Sequence, residues 1–192
     1  MQLFDTKQFI KLDGRDYLLV ITPSEEVILK VIYYKSEVKK RIGFFPSFNS
    51  TAHITVNYYF NRNALSFEEN INYYDKKLQC EKPIEVKVCG FGYFKHGDTY
   101  TIYAKIELNP EVNATFSRFR KILGPHVPNT PHITIARGLC LKNRDLLWEY
   151  FEHEKFECSF YATKIVVMET PTRRFFNEPM RLKTELGFNF SD

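Results

Sequence analysis

Thr51-Ala52-His53-Ile54-Thr55-Val56 and Thr130-Pro131-His132-Ile133-Thr134-Ile135 carry the same tripeptide, the two histidines standing 79 positions apart. Each stretch alternates polar and apolar residues and is rich in β-branched types, so each reads as a strand. Residues i and i+2 of a strand share a face, with Cα atoms roughly 7 Å apart. Each copy therefore aims one imidazole and one hydroxyl the same way. A pair of imidazoles, titrating near 6.5 when unperturbed, supplies a general base and a general acid close to neutrality. A pair of hydroxyls can donate to the non-bridging oxygens of a phosphodiester, where charge builds up as it is cleaved. These groups suffice to break such a bond without a metal.

Working outward, the same order of elements occurs twice. Tyr17–Ile21 reads as a strand, and Thr22-Pro23-Ser24-Glu25 as a capping box opening a helix. Val27, Ile28, Val31, Ile32, Val38 and Ile42 recur at helical spacing, and Gly43 is the expected stop. After the first His-Ile-Thr strand, Ser66-Phe67-Glu68-Glu69 reads as a second capping box, and Pro83–Phe94 and Thr99–Leu108 as strands around the turn His96-Gly97-Asp98. Asn109-Pro110-Glu111 opens a helix striped by Val112, Phe116, Phe119 and Leu123 and ended by Gly124. The second His-Ile-Thr strand follows, then a helix capped by Asn143 and a long strand over Phe156–Met168. Arg181–Leu186 is expected to be the last strand. The order strand, helix, His-Ile-Thr strand, helix, strand runs through the chain twice and predicts two similar lobes whose histidine strands face each other.

The 192 residues fit one domain, with approximate lobes 1–94 and 95–192 between which strands can exchange. The hydrophobic share of 44% and charged share of 26% suit a water-soluble globule. The net charge of +4 favours a phosphate-bearing ligand and is too small for a long nucleic-acid footprint. Cys80, Cys89, Cys140 and Cys158 form no Cys-x-x-Cys pair, so free thiols in a reducing cytoplasm are expected. The first residues have no signal-peptide pattern and no apolar run approaches a membrane span, which points to a cytoplasmic protein without a membrane partner. A monomer is the default expectation.

Two other chemistries compete. A metal centre needs more than two histidines, and neither motif strand holds Asp or Glu. His96, His126 and His153 lack motif spacing, so no metal and no cofactor is expected. A nucleotide hydrolase of the histidine-triad kind needs alternating histidines on one strand, and no His-x-His occurs. A binding module that holds a nucleotide in the same cleft without turnover is the remaining alternative.

With both motifs in place, the chain resembles the 2H phosphoesterase superfamily, and within it the bacterial 2′-5′ RNA ligase and RNA 2′,3′-cyclic phosphodiesterase branch. Pro131-His132-Ile133-Thr134-Ile135-Ala136-Arg137 carries the likeness most strongly. At the first motif, Asn57-Tyr58-Tyr59-Phe60 stands where the family often has a leucine/phenylalanine-glycine run. The resemblance implies a bilobal, pseudo-twofold α+β fold with two mainly antiparallel sheets flanked by helices around a central cleft. It implies catalytic roles for His53 and His132 and phosphate contacts from Thr55 and Thr134. The substrate class it implies is an RNA end or small nucleotide with a 2′,3′-cyclic phosphate or a 2′-5′ linkage, with ligation as the reverse reaction. Phe44, Phe45 and Phe48 are candidates to stack on a base, and Arg173 and Arg174, beside Phe176, to clamp a phosphate. Strict alternation puts Arg137 on the face opposite the catalytic pair.

Overall fold

A computed structural model describes residues 14–172 and 179–189. Along the chain run β1 (Gly14–Ile21), α1 (Glu25–Ile42), β2 (Ile54–Asn63), α2 (Ala64–Leu78), β3 (Ile84–His96), β4 (Thr99–Ile106), α3 (Pro110–Leu123), β5 (His132–Leu139), α4 (Leu141–Phe151), β6 (Glu157–Ala162), β7 (Lys164–Pro171) and β8 (Arg181–Gly187). The doubled β-α-β-α-β order is therefore present, followed by two further strands.

The strands form one antiparallel sheet of eight, in the order β6-β3-β4-β5-β2-β1-β7-β8, rather than the two sheets expected. The difference lies at its middle. β2 and β5 would be the edges of two four-stranded sheets, but they meet through the pair Ile54–Ile133. Pairing removes the exposed edge that each would otherwise present. Outward from that joint, the halves are β2-β1-β7-β8 and β5-β4-β3-β6. β3 thus sits with the second motif strand, and β7 and β8 sit with the first.

The expected long strand over Phe156–Met168 is interrupted at Thr163, and its two pieces pair in different halves, β6 with β3 and β7 with β1. One residue separates strands at the first and seventh places of the sheet, and neighbouring Cα atoms are only 3.8 Å apart. The sheet must curl until β6 approaches β7.

Helix ends follow local chemistry, with shifts from the expected caps. Asn109 accepts from Val112 N at 2.9 Å, with Pro110 at the first helical position. Gly43 (φ 76°) and Gly124 (φ 96°) close α1 and α3 in a region that costs glycine little. Ser66 is not the cap of α2. Asn63, the last residue of β2, takes that place and accepts from Ser66 N at 3.1 Å, leaving no loop between strand and helix. α1 begins at Glu25 with Ser24 rather than Thr22 at the cap, which leaves Pro23 ahead of the helix, and α4 begins at Leu141, ahead of Asn143.

α1 and α4 pack on each other and over β4, β5 and β6, while α2 and α3 lie over β2, β3 and β8. Tyr34, Phe91, Phe151 and Phe156 interlock beneath the first pair of helices. Tyr17 stacks on Phe67, with ring centroids 3.8 Å apart, beneath the second. Each such ring removed from water contributes about 1.5–3 kcal/mol. The four cysteines are free thiols. No helix among the described residues is long and apolar enough to cross a membrane.

Candidate active site

The joint of the sheet places the two tripeptides. In an antiparallel ladder, paired residues point to the same side and their neighbours to the other. Ile54 and Ile133 are paired and each is 0% exposed. Their neighbours His53, Thr55, His132 and Thr134 are therefore on the other side, and all four are half-buried. His53 lies across from Thr134, and His132 across from Thr55. The four predicted residues share one face around a local twofold axis through the isoleucine pair.

Both imidazoles are held alike. His53 Nδ1 lies 2.8 Å from the Thr51 carbonyl and His132 Nδ1 lies 2.9 Å from that of Thr130. A carbonyl only accepts, so Nδ1 carries the proton in both rings and Nε2 is left for chemistry. Burial pushes the pKa of each below its ordinary value, against the raising effect of the backbone bond. For His53 the charges of Lys35, His132 and Arg137 add to the depression; for His132 it is His96 that adds.

Each motif strand also carries a one-residue slip just after its threonine. Val20 pairs with Thr55 and Leu19 with Asn57, which skips Val56. Tyr103 pairs with Thr134 and Ile102 with Ala136, which skips Ile135. Two consecutive residues are buried at each slip, Val56-Asn57 and Ile135-Ala136, all 0% exposed. Such bulges reverse the alternation beyond them. Tyr58 and Arg137, each five residues after a motif histidine, return to the exposed face. This corrects the strict-alternation reading of Arg137, whose charge acts on both His53 and Lys35. Its counterpart Tyr58 donates to Asp16 Oδ2 at 2.9 Å.

The surroundings differ on the two sides. Next to His132 stands an aromatic wall: Phe94 stacks on Tyr103 at 4.1 Å, and both rings lie close to His132, at 5.0 and 5.2 Å. The wall needs Gly92, where a Cβ would come within 2.8 Å of the Tyr103 ring and hydroxyl. The loop between α1 and β2 supplies Phe44, 68% exposed, whereas Phe45 belongs to the core and Phe48 is half-buried against Phe45. Of these three rings only Phe44 offers an open face. Arg173, Arg174 and Phe176 lie outside the described residues. No group of three or more His, Cys, Asp or Glu side chains among the described residues is placed to hold a metal ion.

The sequence reading missed Lys35, Phe94 and Tyr103. Lys35 had a signal, a cation four residues after Val31 within the apolar stripe of α1. The ring pair had none, since it depends on the register of β3 against β4.

Fold and site define a class: doubled α+β proteins in which two His-x-Thr strands meet at the centre of the sheet. Residues 38–174 match the model of the 2′-5′ RNA ligase superfamily, and the chain belongs to that family. Solved structures agree on the fold. TT0787 of Thermus thermophilus has a TM-score of 0.61 at 17% identity, over 90% of this chain and 97% of its own. E. coli LigT complexed with 3′-AMP has a TM-score of 0.63 at 11% identity, over 92% and 99%. Kluyveromyces marxianus Usb1 has a TM-score of 0.54 at 10% identity, over 91% and 98%. A search by sequence among curated proteins finds no match.

Proposed function

We propose that this protein is a metal-independent phosphoesterase acting on 2′,3′-cyclic phosphate ends or 2′-5′ linkages of RNA or small nucleotides. The observation that carries the reading is the twofold arrangement of His53, Thr55, His132 and Thr134 about the Ile54–Ile133 pair, with both Nδ1 atoms tied to carbonyls. In hydrolysis of a cyclic ester, one neutral imidazole takes a proton from water as the water oxygen bonds to phosphorus. The bond from phosphorus to one ribose oxygen breaks, and the other, protonated imidazole gives its proton to that oxygen. The products are a phosphomonoester and a free hydroxyl. In cleavage of a 2′-5′ linkage the neighbouring 3′-hydroxyl takes the place of water. Its oxygen bonds to phosphorus as one imidazole takes its proton, and the bond to the 5′ oxygen breaks as the other imidazole protonates it, leaving a 2′,3′-cyclic phosphate and a 5′-hydroxyl. Ligation is the reverse of that step, with the histidine roles exchanged. Thr55 and Thr134 donate to the non-bridging oxygens, and Arg137 adds positive charge.

The Phe94 wall beside His132 supports a substrate with a base next to the phosphate, because every nucleobase has a face to stack. LigT, of the same fold, has been crystallised with 3′-AMP, ATP and NADP+. The test is turnover in excess EDTA of four substrates: RNA ending in a 2′,3′-cyclic phosphate, a 2′-5′ oligonucleotide, a cyclic dinucleotide and ADP-ribose cyclic phosphate. At least one is expected to be cleaved, and His53→Ala and His132→Ala each to slow that cleavage by about 10²–10⁴-fold. Tight binding with every ligand returned unchanged would instead establish a binding module.

A further inference from the structure

Lys35 lies on the buried side of α1 and is 3% exposed. An ammonium has three donors and no acceptor. Here all three are used on the loop that precedes His53: Nζ donates to the Ser47 carbonyl at 2.8 Å, to Ser50 Oγ at 2.8 Å, and to the Ser50 carbonyl. Ser50 Oγ in turn donates to the Ser47 carbonyl at 2.8 Å. Phe45 and Ala52 anchor the two ends of this loop in the core, and beside the stretch between them lies a cavity of about 210 Å³ lined in part by Ile28, Val31, Ile32 and Phe48, which the Lys35 bonds span. The same loop is bound to the other motif. Ser47 Oγ accepts from the backbone N–H of Arg137 at 3.1 Å and faces the Ile135 carbonyl at 3.5 Å, at the slip in β5. Lys35, Ser50, Ser47 and the β5 slip thus make one polar chain from α1 to the second motif. Only the single pair Ile54–Ile133 joins the two motif strands directly.

We propose that Lys35 is a positioning residue, which fixes the His53 loop and, through Ser47, sets the spacing between the two motifs. The proposal rests on the two-histidine reading of the site. Misplacement by about 1 Å at a reacting group is enough to cost roughly 10²-fold in rate. A neutral substitute of similar length removes both the tether and a charge near His53.

The experiment compares wild type with Lys35→Met, Lys35→Arg and Ser47→Ala. Ring-nitrogen NMR between pH 5 and 7.5, where Lys35 is charged, reads the tautomer and titration of His53 and His132 without any substrate. Steady-state kinetics uses whichever phosphodiester the wild type cleaves. Lys35→Met is expected to unsettle the Nδ1–H tautomer of His53, to move its titration upward, to leave His132 alone, and to lower kcat about 10²-fold. Lys35→Arg, which keeps the charge, is expected to hold the His53 titration near wild type and to restore part of kcat. Ser47→Ala, which cuts only the link to β5, is expected to lower kcat while leaving the His53 tautomer intact.

An unchanged His53 and an unchanged kcat in Lys35→Met would overturn the proposal. So would equal disturbance of both histidines, which would mean general loosening. If Lys35→Met does not fold, wild-type kcat in both Lys35→Arg and Ser47→Ala overturns it, and a loss of kcat in Ser47→Ala with an intact His53 tautomer supports it. A wild type that cleaves nothing would defeat the phosphoesterase reading, and the NMR comparison would still decide whether Lys35 holds His53.

Discussion

On the β2 side of the cleft, the residue five places beyond the histidine is Tyr58, bonded to Asp16; on the β5 side it is Arg137, open to solvent. On the β2 side the imidazole stands in the field of Lys35 and Arg137; on the β5 side it stands against Phe94 and Tyr103. The backbones are the same in register, in slip and in the carbonyl that holds Nδ1. A doubled backbone supplies two equivalent proton carriers, and the side chains around them make them unequal. Cations near His53 disfavour its imidazolium, as His96 does that of His132, and on the proposed mechanism the larger set of cations around His53 would suit it to the base's part. On the same proposal, the aromatic wall beside His132 would seat the nucleoside whose oxygen leaves.

The comparison breaks most visibly at the histidines. His53→Ala and His132→Ala are each expected to lower kcat by about 10²–10⁴, the usual worth of a positioned acid or base. The double variant should be little worse than the poorer single, since the two act as a unit. A single variant with wild-type turnover would show that the twofold pair is not the machinery. Next in size is the contrast of Arg137→Met with Tyr58→Phe. Losing a charge-assisted bond of about 1.5–3 kcal/mol lowers kcat/KM roughly 10- to 100-fold. Tyr58→Phe should stay within about twofold, and equal losses would mean that both halves bind phosphate alike.

Phe94→Ala is expected to raise KM for a nucleotide substrate by about tenfold, in line with roughly 1–3 kcal/mol per stacked base. Phe44→Ala, at the exposed ring of the loop between α1 and β2, serves as the control. An equal response would place the base elsewhere.

The smallest effect is in pH. Both histidine pKa values are pushed down by burial, so each ring loses its proton at lower pH than free imidazole. The acid limb of a bell-shaped profile reports protonation of the base, and the alkaline limb reports loss of the acid's proton. With both groups shifted down, the kcat/KM bell should centre below about 6.5. A bound phosphate favours the imidazolium, so the kcat bell should lie at higher pH. NMR titration should show both His53 and His132 releasing their protons at lower pH than free imidazole, and an upward shift of either would contradict the burial that the two share.

The histidine-threonine face was legible because strand parity is local: two residues apart means one side. Helix positions were legible from apolar spacing for the same reason. What escaped depends on pairing between distant segments. No property of Ile135 alone announces that Tyr103 and Ile102 will step past it, yet that step turns Arg137 around. Phe44 and Phe45 are neighbours of one type, and only packing separates the exposed ring from the core one. Ser66 and Asn63 can both cap a helix, and β2 runs straight into Asn63, which decides between them. The two-sheet expectation failed by a single residue pair, which no composition or periodicity reports.

The exchange of strands across the joint has a consequence for how the protein folds. β3 from the first repeat pairs with β4 and β6 of the second, β7 returns to β1, and α1 packs over strands of the second repeat. A fragment ending in the β3–β4 turn at Gly97 would carry β3 without its partners and β1 without β7. Neither repeat can close its own core. Denaturation should therefore be a single cooperative transition in which both repeats melt together, and the duplicated pattern is one folding unit even though it is written twice in the chain.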